Sequence, residues 1–127
     1  MQAYSQPLSF MHGRDLLVRP VVAPLNASAG TVAAAPQLSV WLPPCRTGWV
    51  AWSDGGLLQT SGSGALVRVS SAWDQLPMFV RGGAVLPLLP RGSLDARTSD
   101  AVNWALFLGG ATAGNGSRYL DEGDSTA

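Results

Sequence analysis

Leu76-Pro77-Met78-Phe79-Val80-Arg81-Gly82-Gly83-Ala84-Val85-Leu86-Pro87 is the stretch that decides the fold: two short apolar runs flank a pair of glycines. Residues 78–81 and 85–88 are rich in strand formers, and Gly82 and Gly83 allow a sharp bend between them. The same pattern extends outward. Residues 16–22, 38–42, 48–52, 65–69 and 104–108 are further short runs rich in Val, Leu or Trp. In Ala65-Leu66-Val67-Arg68-Val69 the alternation of a half-buried strand is explicit, with Ala65, Val67 and Val69 on one face and Leu66 and Arg68 on the other. Fifteen glycines and nine prolines punctuate the chain, and both residues are costly inside helices. Asp54-Gly55-Gly56 and Gly62-Ser63-Gly64 supply turn chemistry between runs. The expected fold is therefore all-β, an antiparallel β-sandwich. Residues 24–36 read as a connecting loop and 91–100 as a polar linker, leaving an incomplete second β piece from residue 101 onward.

Composition narrows the function. The chain has 127 residues, 46% of them hydrophobic, which suits one buried core and about one domain. Eight acidic residues balance eight basic ones, all arginines without a run, so the electrostatic footprint of a nucleic-acid binder is missing. Pro7, Arg14 and Asp15 interrupt the N-terminal apolar residues, so neither a signal peptide nor a membrane span is read there. A secreted or secretory-pathway parent would carry its signal upstream of Met1. Cys45 is the single cysteine, so it has no internal disulfide partner and no second thiol for a zinc cage.

No catalytic centre emerges from the side chains. His12 is the only histidine and no serine stands in G-x-S-x-G, so a Ser-His-acid arrangement lacks its local signature. Asp121, Glu122 and Asp124 form the one dense acidic cluster, in an Asp-Glu-Gly-Asp sequence that reads as a solvated turn rather than a metal loop. Gly62-Ser63-Gly64 lacks the trailing Lys-Ser/Thr of a phosphate loop. No cofactor and no metal is assigned. Five tryptophans are many for this length, and Trp41, Trp49 and Trp52 are close in sequence. Core packing competes with sugar stacking for them, with Trp49 and Trp52 the stacking candidates. Three residues apart in one strand, those two point to opposite faces and cannot share one platform. Asn26-Ala27-Ser28 and Asn115-Gly116-Ser117 fit the N-glycosylation acceptor pattern.

Four blocks, in order, resemble the C-terminal part of glycoside hydrolase family 31, the α-glucosidase and α-xylosidase family. Phe10-Met11-His12-Gly13-Arg14-Asp15-Leu16-Leu17-Val18-Arg19-Pro20-Val21 is similar to the family's F-M-x-G-x-x-L-L-V-x-P-V segment leaving the catalytic barrel. Val40-Trp41-Leu42-Pro43, then Gly48-Trp49-Val50-Ala51-Trp52-Ser53-Asp54-Gly55, resemble Y-L-P followed by G-x-W-Y-D-x-W-x-x-G. The segment from Leu76 to Pro87 resembles I-P-V-F-V-R-G-G-S-I-I-P of the proximal sandwich, and Tyr119-Leu120-Asp121-Glu122-Gly123-Asp124-Ser125 resembles the Y-x-D-D-G-x-S opening of the distal one. Two departures stand out: Pro44-Cys45-Arg46-Thr47 is longer than the usual turn, and Val50-Ala51 replaces Tyr-Asp.

The resemblance implies a division into a barrel-exit segment (1–13), a proximal sandwich (14–90), a linker (91–100) and the start of a distal sandwich (101–127). It implies an accessory region of a retaining α-glycosidase, whose partners are the catalytic barrel of the same polypeptide and, through it, an α-glucoside or α-xyloside. The family's catalytic aspartates precede the first block, so no residue here inherits their roles. Phe10 and Met11 lie nearest the implied edge of the sugar pocket. Arg81, Gly82 and Gly83 form a structural motif, in which the guanidinium suits donors fanned onto backbone carbonyls. The alternatives are a stand-alone carbohydrate-binding module using Trp41, Trp49, Trp52 or Trp73, and a gene fragment without function of its own.

Overall fold

The computed structural model describes residues 8–22, 37–71, 75–90 and 102–117. Among them nine strands form and no helix. They are β1 (Phe10–His12), β2 (Leu16–Val18), β3 (Gln37–Leu42), β4 (Trp49–Ala51), β5 (Leu57–Leu58), β6 (Ala65–Ser70), β7 (Met78–Arg81), β8 (Ala84–Leu88) and β9 (Asn103–Phe107). Every strand pairing is antiparallel. One sheet has five strands in the order β1-β2-β7-β4-β5, while β3–β6 and β8–β9 are two-stranded.

Period-two alternation places the core between the five-stranded sheet and β3–β6. Phe79 on β7 pairs with Leu17 on one side and Ala51 on the other, so the three form a row across the sheet. Leu17, Phe79 and Trp49 pack in one buried cluster with Val40, Leu42 and Cys45, and Val67 and Val69 of β6 close it. Val18, Val50 and Val80, one position out of phase, are also buried but lie outside that cluster. Trp52, just past the end of β4, stacks on Phe107 of β9 with ring centroids 5.4 Å apart, which brings the β8–β9 hairpin toward this second face.

All seven expected strands form, several of them shortened. The run at 16–22 ends its ladder at Val18; Arg19 still donates its N–H to Pro77 O at 2.9 Å, but Pro20 has no N–H to continue. In β6, Ala65, Val67 and Val69 are half-buried and Leu66, Arg68 and Ser70 exposed, as the alternation requires. Two strands were not expected. All three residues of β1 are exposed, so no burial pattern marks it; it is a strand because it pairs with β2 across the Gly13 turn. The other, β5, has only two residues and pairs with β4 after Asp54-Gly55-Gly56. Asp54 Oδ1 accepts the Gly56 N–H at 2.9 Å and closes that turn. The run at 104–108 forms β9, which pairs along its whole length with β8 across residues 91–100. Residues 24–36 and 91–100, Trp73, Asn26-Ala27-Ser28 and the acidic cluster Asp121, Glu122 and Asp124 lie outside the described residues.

Candidate functional site

The Arg81-Gly82-Gly83 joint between β7 and β8 is closely constrained by its neighbours. Gly83 takes φ +87°, a conformation that side chains with a Cβ rarely adopt. At Gly82 an added Cβ would run into the carbonyl oxygen of Thr47. The loop at 45–48 is therefore pressed against the joint and bonded to it. Thr47 Oγ1 donates to Gly82 O at 2.7 Å, Gly82 N–H donates to Gly48 O at 2.9 Å, and Gly110 N–H donates to Thr47 O at 2.8 Å. Thr47 thus ties β4, the β7–β8 joint and the segment after β9 together. Cys45 supports the same loop: its N–H donates to Thr60 Oγ1 at 2.8 Å, and its buried thiol lies 3.3 Å from Thr47 Oγ1. The extra length of Pro44-Cys45-Arg46-Thr47 accordingly has a structural use. Thr47→Val, which keeps the shape and removes the donor to the buried Gly82, is expected to cost about 1–3 kcal/mol. Thr47→Ser is expected to retain most of that stability, and a shift in urea midpoint at constant slope checks both.

Arg81 acts differently from the expected carbonyl-binding fork. Among the described residues its guanidinium accompanies Asp15, with Nε 3.8 Å from Oδ1, and its Cζ lies 5.3 Å from the centroid of the Trp49 ring. The Arg81 N–H donates to Asp15 O at 2.8 Å, and its cation faces the Trp49 ring and the Asp15 carboxylate.

The tryptophan candidates separate as their spacing requires. Trp49 is fully buried, and its indole N–H donates to Pro43 O at 2.9 Å, so it has no face for a sugar; here core packing prevails over stacking. Trp52 remains 37% exposed, with one side against Phe107. Trp41, half-buried, pairs with Leu66 on β6. Phe10 and Met11 are 52% and 38% exposed on the edge strand β1, beside the exposed Leu8. His12 is exposed on the same strand. Among the described residues no three His, Cys, Asp or Glu side chains come together in a metal-holding group. No helix there is long and apolar enough to cross a membrane.

Clefts indent the surface formed by the described residues, two of them sizeable. One, of about 390 Å³, lies between the β4–β5 turn and the end of β6, lined by Asp54, Leu57, Arg68 and Met78. The other, of about 580 Å³, lies between the β1–β2 turn and β8, lined by His12, Arg14, Asp15, Trp52, Leu86 and Ser117. In the second, Arg14 Nη2 donates to Asn115 Oδ1 at 3.1 Å and Arg14 Nε lies 3.4 Å from Asp15 Oδ1. Asn115 bridges to Ala84 through its backbone, which holds residues 115–117 beside β8. Thr47, Thr60 and Asn115 were not singled out for this work, because each acts on residues far away in the sequence.

A layered antiparallel sandwich, bent at two glycines and pinned there by a threonine loop, defines a β-sandwich domain. The family is glycosyl hydrolase family 31: residues 1–86 match its C-terminal domain, and the chain belongs to it. The chain is 29% identical over 119 residues to an alpha-glucosidase of Aspergillus niger, covering 91% of this chain and 11% of that protein. It is 27% identical over 127 residues to neutral alpha-glucosidase C of Homo sapiens, covering 98% of this chain and 13% of that one. Among solved structures it is similar to the cycloalternan-degrading enzyme from Trueperella pyogenes, with a TM-score of 0.49 and 28% identity over 65% of this chain and 10% of that one. The chain thus spans 11 and 13% of the length of these two glucosidases.

Proposed function

We propose that the chain serves as the C-terminal accessory region of a retaining α-glycosidase and braces its catalytic barrel without contributing catalytic carboxylates. The family match over residues 1–86 carries this reading. Within it, residues 1–13 leave the barrel, 14–90 form the proximal sandwich, 91–100 link, and 101–127 begin the distal sandwich, with the β8–β9 pairing as the joint across the linker. Two carboxylates supplied by the barrel would cleave the α-glucosidic bond, one as nucleophile and one as acid then base. Exposure of Phe10 and Met11 on the edge strand β1 and of Leu8 just before it, beside the buried Leu17 and Phe79, supports a packing surface there.

The purified 127-residue chain is expected to leave 4-nitrophenyl α-glucoside unhydrolysed; turnover by the homogeneous chain would refute the bracing role. In a polypeptide that carries the barrel as well, Phe10→Ala is expected to weaken substrate affinity or turnover several-fold. Unchanged KM and kcat would remove Phe10 from the pocket edge.

A further inference from the structure

We infer that Asn115 is an N-glycan acceptor. Asn115-Gly116-Ser117 carries the acceptor pattern, with a residue other than proline in the middle. The fold accounts for only part of that triplet. Asn115 is fixed through its backbone: its N–H donates to Gly83 O at 2.9 Å, and its carbonyl accepts the Val85 N–H at 3.1 Å. Gly116 is required where it stands, because an added Cβ would run into Val85 O. The side chains at the two ends have no comparable duty. Ser117 is exposed and its hydroxyl makes no hydrogen bond among the described residues, and neither does Asn115 Nδ2. An asparagine amide and a hydroxyl two residues further on are what the acceptor chemistry needs, and packing leaves both unused.

The surroundings leave room for a bulky, solvated substituent. Asn115, Gly116 and Ser117 are all exposed and lie outside the named strands, in the kind of surface segment where glycans are carried. Arg14, which donates to Asn115 Oδ1 at 3.1 Å, has a side chain 74% exposed, so solvent borders the amide on that side too. That bond engages only the carbonyl oxygen, which an N-glycan retains, while Nδ2 is the atom substituted. In the transfer, Nδ2 bonds to the anomeric carbon of a lipid-pyrophosphate-linked oligosaccharide and gives up one proton. The bond from that carbon to the pyrophosphate oxygen breaks, and the lipid pyrophosphate leaves with the electron pair. Donor and transferase belong to the secretory route, so the modification puts the polypeptide carrying this chain on that route. Arg14 follows β1 in its turn, at the opposite end of the strand from Leu8, so a glycan at Asn115 and a packing surface about Leu8 and Phe10 are compatible.

Polypeptide captured from the source organism with antibody against this chain is digested with trypsin and treated with peptide-N-glycosidase in heavy-oxygen water. Peptide 98–118, bounded by Arg97 and Arg118, is expected to carry heavy oxygen at Asn115, where release of the glycan turns the amide into a carboxylate. The same peptide recovered with its amide intact overturns the proposal. So does a carboxylate without heavy oxygen, the mark of spontaneous amide loss before Gly116. The peptide reads alike from a short or a long polypeptide, so failure of the accessory-region reading leaves this test standing. Secretion of the full 127-residue chain from a eukaryotic host, behind a cleavable signal, gives a second reading. With Asn26→Gln removing the other acceptor triplet, deglycosylation is expected to shift the band; adding Ser117→Ala abolishes the shift and Ser117→Thr keeps it. Ser117 has no described partner to lose, so Ser117→Ala is expected to fold as the parent chain does. Absence of the shift in Asn26→Gln, or its survival in Ser117→Ala, overturns the proposal.

Discussion

Trp49→Ala is expected to lower the unfolding free energy by about 3–5 kcal/mol, a large part of the roughly 5–15 kcal/mol that holds a typical domain together. The indole is fully buried in the core cluster that also holds Leu17 of β2, Val40 and Leu42 of β3 and Phe79 of β7. Removing it opens a cavity that rigid neighbouring strands close only in part. It also leaves Pro43 O without its 2.9 Å donor and Arg81 without the ring beneath its guanidinium. Trp52→Ala provides the contrast. That ring is 37% exposed and has one aromatic partner, so its truncation is expected to cost about 1 kcal/mol or slightly more. Urea unfolding followed by circular dichroism measures both, and equal losses for the two tryptophans would contradict the assignment of Trp49 to the core.

Gly82→Val is expected to be similarly disruptive for the opposite reason. Nothing is removed; instead a Cβ and two methyl groups enter space occupied by the Thr47 carbonyl, which is backbone and cannot swing aside. The strand and the 45–48 loop must separate, straining or breaking the bonds from Thr47 Oγ1 to Gly82 O and from Gly82 N–H to Gly48 O. Overpacking alone costs about 1–3 kcal/mol, and each bond lost adds about 1 kcal/mol, so a total near 3–5 kcal/mol is expected. Gly62, where an added Cβ meets nothing within 4 Å, is the control: Gly62→Ala is expected to change stability by less than about 0.5 kcal/mol. A lowered urea midpoint for Gly82→Val with Gly62→Ala unchanged locates the constraint at the joint.

Much of this architecture is legible before any coordinates, because its determinants are local. Two apolar runs about a Gly-Gly pair force a strand, a bend and a strand, and they become β7 and β8. The three-residue offset between Trp49 and Trp52 sends them to opposite faces, which the burial of one and exposure of the other reproduce. What cannot be read is non-local. Nothing near Thr47 announces that its hydroxyl serves a carbonyl 35 residues further on. A guanidinium next to two glycines suggests a fork onto carbonyls, yet the ring of Trp49 across the β4–β7 pair is what Arg81 meets. Phe10-Met11-His12 carries no buried face to betray a strand. The cleft about Trp52 exists only because the β1–β2 turn, residues 115–117 and β8 converge from distant parts of the chain.

As the proposed part of a larger glycosidase, these 127 residues are expected to occur within a longer polypeptide. Immunoblotting of lysate from the source organism, with antibody raised against this chain, tests it most directly. The bracing role predicts a band from a polypeptide several times longer than the chain, in line with relatives of which it spans 11 and 13%. A single band at 13.2 kDa would contradict it.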